Sequence, residues 1–350
     1  MEHLRIGLIG AGGNTLSRHI PGFKKVCGVE IVSVANRTWA SGRRVAKDFG
    51  IAKVAEDWRA VLEDGSVDAI CIGTWPYMHK TLTIAALEAG KHVLCEARMA
   101  MNSAEAREML AAAQRHPHLI AQIVPAPHTL AFDRTIMKMI GKGDIGEIIA
   151  LDARIAALST YPNPTSPPHW RHDRILSGNN IMSMGIWYEA MIRWVGPAST
   201  VYAIGQSVVN HRVGADGRRV TMTIPDHLDV MCKLKQGGQM RFNVSTVIGD
   251  SPSQVDLLIF GTEGTIRLYQ GPKEEMALSV GKRGGRGLKP VKIRPAMRGR
   301  WRVEEEFCNA IRGKEPVTHT DLATGVTYME FSDAVTRSLG TGKQVSLPLV

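Results

Sequence analysis

The run "LRIGLIGAGGNT", residues 4 to 15, restricts the fold more than any other stretch of the chain. A short apolar segment ends in Gly10, Gly12 and Gly13, and a helical pattern follows. Glycines are needed where the chain turns tightly and a pyrophosphate approaches the backbone, with the N–H groups of the next helix facing its charge. Asn14 and Thr15 close the turn, and Thr15 takes the third position of GxGxxG, where Gly or Ala is usual. The turn predicts dinucleotide binding if strands and helices alternate around it.

They do so through the first third. "VEIVSVAN" (29–36), "DAICIGT" (68–74), "KHVLCE" (91–96) and "HLIAQIV" (118–124) are short apolar runs separated by helical patterns such as "DWRAVLEDG" and "YMHKTLTIAALEAG". This rhythm specifies an α/β fold with a doubly wound parallel sheet. After residue 125 it changes. A helix over 132–143 and a Pro-rich loop (161–173) precede a helix over 181–194. Strands are then expected at 199–209, 227–235, 239–248, 254–260 and 264–270, and two helices near 301–312 and 321–338. These strands predict a large open, mainly antiparallel sheet. A chain of 350 residues exceeds what one core usually supports, so two domains are expected: 1–124, binding the dinucleotide, and 125–350, holding substrate and partners.

The net charge of +10 raises the question of nucleic acid, but nine Lys/Arg and no acid fall within 282–302, and with Trp301 the one aromatic residue there, there is no aromatic interleaving of the kind single-strand binding uses. The glycines and prolines there suggest a solvated, mobile basic loop. No apolar run reaches the roughly 20 residues of a membrane helix, and no signal-peptide layout opens the chain, so neither a membrane nor a nucleic-acid partner is expected and the location is read as cytoplasmic. Five scattered cysteines include no CxxC pair, and HxH and HExxH are absent, so no metal is expected.

The second strand ends in Asn36, Arg37 and Thr38, with Arg43 and Arg44 further on. An acid here would hold the ribose 2′-hydroxyl. A guanidinium in its absence favours a 2′-phosphate, so NADP is preferred, with NAD the alternative.

Beyond the turn, "GTWPYMH" (73–79), "ALEAGKHVLCE" (86–96), "KGDIGEI" (142–148), "WRHDRILSGNNIMSMGIW" (170–187) and "FGTEGTIRL" (260–268) resemble the Gfo/Idh/MocA oxidoreductases in order and over nearly the whole chain. The resemblance implies a Rossmann domain, a C-terminal α/β domain, a nicotinamide cofactor and homodimers or tetramers formed through the outer face of the C-terminal sheet. It places Thr74, Trp75, His79, Glu96 and Ala97 with the cofactor and implies a sugar or cyclitol hydroxyl as substrate.

The same resemblance exposes two departures. The family's strand-end motif is Glu-Lys-Pro; here Glu96 is kept, but Ala97 replaces the lysine that helps move the proton and Arg98 replaces the proline. An aspartate and a histidine four residues apart usually follow on a helix, and these positions are Ser183 and Trp187. Neither a lone serine nor an indole can act as the general base. Loss of all three groups together suggests a site rebuilt rather than decayed.

Four groups remain as catalytic candidates. Arg98 is never a base but could clamp a carboxylate or phosphate, or else pair with a surface acid. Tyr188 could donate to an oxyanion, while Glu189 is expected to face outward. His128 follows the last Rossmann strand, where relatives carry an arginine, and Arg171 matches a Trp-Arg pair that approaches substrate. His169, Trp170, Ser183 and Trp187 are expected to line the substrate region. The first functional reading is an NAD(P)-dependent oxidoreductase with an atypical site, acting on a small polar, carbohydrate-derived or anionic molecule. The alternatives are a lyase or hydrolase using transient internal redox, and a non-catalytic sensor.

Overall fold

The computed structural model describes residues 3–156 and 160–349 and divides into two compact units. The first contains Met1–Pro125 and Trp301–Met329; the second contains Ala126–Arg300 and Glu330–Val350. The chain thus changes unit again after 300 and after 329, beyond the single break after 124 read from the sequence.

In the first unit, strands β1 (Leu4–Ile9), β2 (Val29–Ala35), β3 (Lys53–Val54), β4 (Ala69–Ile72), β5 (His92–Cys95) and β6 (Ala121–Ile123) form one parallel sheet in the order β3-β2-β1-β4-β5-β6. Helices α1 (Ile20–Lys24, entered through a π turn at Thr15–His19), α2 (Trp39–Phe49), α3 (Trp58–Leu62), α4 (Pro76–Glu88) and α5 (Ser103–Arg115) connect them. β4 is buried along its whole length and β1 nearly so, as central parallel strands covered on both faces must be. The strand order reverses between β1 and β4, and ligands of such sheets bind beyond the carboxyl ends at that point.

The second unit begins with α6 (Leu130–Gly141), followed by β7 (Ile148–Ala156), α7 (Arg174–Ser177) and α8 (Met184–Val195). Its further strands are β8 (Ala198–Gln206), β9 (His211–Val213), β10 (Arg219–Thr221), β11 (His227–Leu234), β12 (Gln239–Ser245), β13 (Val255–Gly261), β14 (Gly264–Gln270), β15 (Ala277–Lys282), β16 (Lys289–Pro290) and β17 (Val345–Ser346). Nine strands form one sheet in the order β16-β15-β14-β13-β7-β12-β11-β8-β17, antiparallel except for the β7–β12 pair, while β9 and β10 form a separate hairpin. β11 alternates buried and exposed residues, which marks a sheet with one face packed and one open. α9 (Val303–Ile311) belongs to the first unit, and α10 (Leu322–Thr341) starts there.

The basic stretch is folded, not a free loop. It ends β15 and supplies β16; Lys282 pairs with Asp144 at 3.3 Å and Arg283 with Glu263 at 2.9 Å. Among the described residues no helix is long and apolar enough to cross a membrane.

Candidate functional site

Gly10 has φ +82°, a conformation in which a side chain is strained, and a Cβ there would lie 2.8 Å from the Thr74 nitrogen. The two strand ends at the reversal point therefore touch through backbone. The missing third glycine is compensated on the other strand. Thr15 is buried, its hydroxyl 3.5 Å from the Gly10 carbonyl oxygen, and a Cβ on Gly73 would come within 2.1 Å of that hydroxyl. Gly73 is the small residue that Thr15 is not.

A Cβ on Gly13 would meet nothing within 4 Å, and one on Gly12 only the Gly73 oxygen at 3.6 Å. The turn thus presents open backbone at its outer side, and the buried Thr74 hydroxyl beside it has no hydrogen-bond partner in the structure. These features fit a dinucleotide's phosphates. Asn36 is already engaged: its Oδ1 accepts the Ala11 N–H at 2.7 Å and so fastens the turn to the end of β2. Thr38 accepts from Ser41 N as the N-cap of α2, and the exposed Arg37 guanidinium lies 5.5 Å from the Trp75 ring centre.

Glu96 stands at the end of β5. Its carboxylate accepts from the Asn14 side-chain amide, from the Ala97 N–H at 3.1 Å and from His19 Nε2 at 2.8 Å. Burial opposes its ionisation, but these partners outweigh burial and hold its pKa below the usual carboxylate value. The other His19 nitrogen meets Glu304 of α9 at 2.6 Å. Neither His19 nor Glu304 was legible as a site residue, because their contact joins positions 285 apart and no spacing reports it.

The Ala97–Arg98 peptide is cis, and the Arg98 side chain is 2% exposed. A guanidinium so covered presents no clamp to a ligand in open solvent, contrary to one expectation. Its carbonyl oxygen lies 2.9 Å from His79 Nδ1, and the Thr74 oxygen lies 3.1 Å from Nε2. Burial pushes the His79 pKa down. His79 therefore ties the β4 and β5 ends together, as a support for the cofactor loop would.

In the second unit, α8 is buried nearly all round. The expectations for Tyr188 as a donor and Glu189 as outward-facing are therefore corrected. Tyr188 is wholly buried, its ring stacked on Phe331 with centroids 3.6 Å apart, and its oxygen accepts the Ala198 N–H at 2.8 Å. Burial raises its pKa far above the usual phenol value and keeps it protonated, and a phenol so covered presents no group to a substrate. Glu189 is 2% exposed rather than outward-facing. It accepts from Ala126 N at 2.8 Å and pairs with Arg193 at 2.6 Å, and Arg193 also pairs with Asp133 at 2.7 Å.

This network fixes the backbone just before His128. The His128 imidazole is exposed and stacks on Trp187, centroids 4.5 Å apart and planes 11° from parallel. The Ser183 hydroxyl, buried at the start of α8, has no hydrogen-bond partner in the structure. In the loop before α7, His169 accepts the Arg171 N–H, and Arg171 lies 4.2 Å from the Trp170 ring centre. Burial lowers the pKa of His169, and Arg171 adds to that.

A family model described as an oxidoreductase family with an NAD-binding Rossmann fold matches residues 4–122, and the Gfo/Idh/MocA C-terminal domain matches 134–267. The chain belongs to the Gfo/Idh/MocA oxidoreductase family. Levoglucosan dehydrogenase of Pseudarthrobacter phenanthrenivorans is 25% identical over 325 residues, covering 85% of this chain and 82% of that protein. 1,5-Anhydro-D-fructose reductase of Ensifer adhaerens is 34% identical over 185 residues, 51% of this chain and 52% of that one. A solved levoglucosan dehydrogenase in complex with NADH and L-sorbose has the same fold, with a TM-score of 0.83 at 22% identity over 99% of each chain.

Proposed function

We propose that this oxidoreductase transfers hydride between NADP, or NAD, and a small polar, carbohydrate-derived or anionic substrate, without the amine, aspartate and histidine its family usually employs. The observation that carries the reading is the exposed His128 imidazole stacked on Trp187, the residue that stands where the resemblance places a catalytic histidine.

Bound nicotinamide supplies hydride acceptance or donation at one ring carbon. The chain must then bind substrate and handle one proton. Gly12, Gly13 and Asn14 would hold the diphosphate, Arg37 the adenosine end, and Thr74, Trp75 and Glu96 the strand ends beneath the nicotinamide. His128 is the group suited to take the hydroxyl proton, because imidazole changes charge near neutral pH. Ser183 and Trp170 would contact hydroxyl groups and sugar rings, and Arg171, braced on Trp170, would receive an anionic substituent. The substrate class is supported by the relatives' names, which refer to an anhydrosugar, an anhydrofructose and deoxysugar nucleotides.

Association of copies is assigned to the open face of the nine-stranded sheet. There Tyr202, Met231, Arg241 and Asp152 stand in one cross-strand row beside the exposed Ile204.

The test is nicotinamide absorbance with wild type and His128→Ala across anhydrosugars, cyclitols and hydroxy acids. Turnover of a member of that panel is expected, with kcat reduced about 10²- to 10⁴-fold in the variant. Full activity of His128→Ala, or no turnover of any panel member by a cofactor-binding wild type, would overturn the reading.

A further inference from the structure

We propose that His19 is a positioning residue: clamped between Glu304 and Glu96, its imidazole holds Glu96 against Asn14, so that α9 sets the shape of the glycine turn. The inference rests on the cofactor reading above and adds to it a device outside the turn itself.

The geometry leaves His19 little other role. Its side chain is 0% exposed and each ring nitrogen meets a carboxylate, at 2.6 Å and 2.8 Å. Two carboxylates around one buried ring are tolerable when the ring is protonated and donates from both nitrogens. Burial alone would lower the His19 pKa; the hydrogen bonds to Glu304 and Glu96 and their charges outweigh it and raise it to about 9. Glu304 is itself fixed by Trp301, whose Nε1 donates to it at 3.0 Å. α1 makes room for the same carboxylate, since a Cβ on Gly22 would lie 2.4 Å from Glu304 Oε2. Asn14 and His19 thus meet on one oxygen of Glu96, and through His19 that oxygen is linked to Glu304 of α9.

Around the cluster stand the Arg18 guanidinium, 4.7 Å from the Trp301 ring centre, and three buried thiols. Burial pushes Cys71 and Cys95 well up and Cys308 to about 12, and the nearby carboxylates add to this, so the thiols stay protonated where His19 titrates. When His19 loses its proton it can donate to one carboxylate only, and the cluster gains a negative charge beside a turn that receives a diphosphate. Cofactor affinity must then fall.

The experiment is fluorescence titration of NADH and NADPH into the full-length protein from about pH 6 to about pH 10, with thermal melts confirming the fold of each variant. Wild-type Kd is expected to stay level to about pH 8 and to rise above about pH 9. Glu304→Gln should raise Kd roughly tenfold at neutral pH and move the rise to lower pH, and Gly22→Ala, which keeps every charge, should weaken binding severalfold. A wild-type Kd that stays level to the alkaline limit overturns the proposal without need of any variant. So does a folded Glu304→Gln with wild-type affinity and profile. Failure of the wild type to bind either nucleotide overturns the cofactor reading, and this inference with it.

Discussion

Glu96 ends its strand in direct contact with buried charge, whereas Trp187, on α8 of the second unit, meets a stacked imidazole. Both units contain a buried ion network. In the first, Glu304 and His19 act on a carboxylate that itself touches the cofactor turn. In the second, Asp133, Arg193 and Glu189 hold the Ala126 backbone, and what is offered beyond it is aromatic. The difference shows that the same kind of buried network can end on a charged group or only brace the backbone beneath an uncharged one. The carboxylate at the dinucleotide end is held by charge; on α8 Trp187 carries no charge, and the titratable group beside it is His128, on the loop that follows the last Rossmann strand.

Breaking the second network should have the largest effect. Arg193→Met leaves Glu189 and Asp133 buried without their cation, and a loss of about 3–5 kcal/mol in urea unfolding is expected. A loss below about 1 kcal/mol would mean that the network is not what fixes the His128 loop.

The first network is sharpened by pH. The folded pKa of His19, raised to about 9 from 6.5, makes its contribution complete below the unfolded value and lost as pH rises through about 9. The stability advantage of wild type over His19→Gln should therefore shrink by about 3 kcal/mol between about pH 6 and about pH 10. An advantage that persists at alkaline pH would place its origin in packing instead.

The smallest effect is expected at Arg37. Arg37→Ala should raise the NADPH Kd roughly tenfold and leave that of NADH nearly unchanged, measured by fluorescence titration. Equal weakening of both would mean that Arg37 covers the adenine rather than recognising a 2′-phosphate.

What was legible in the sequence follows from the range of each interaction. The glycine turn, the alternation of strands and helices and the position of Glu96 are local patterns, and the sheet of the first unit follows from them. Ser183 and Trp187 were placed on one helix by their spacing. Tyr188 and Glu189 were misjudged because angular position around α8 carries no information once nearly every side is buried. Asn36 stands where an acid would hold the ribose, and no local rule indicates that its amide oxygen is taken by Ala11 N, 25 residues away. The parallel β7–β12 pair and the contact of Glu304 with His19 are likewise long-range choices. Arg98 reads as a candidate clamp for an anion because sequence gives its type but not its cover.

Val303, Phe307 and Cys308 pack in the same core as Leu4, Ile6 and Leu8. On the ribosome, the nucleotide-binding half is therefore begun first and closed almost last, with an apolar flank of its sheet bare until residues 303–311 emerge. Excising residues 1–125 as a cloned fragment would reproduce that bare state permanently.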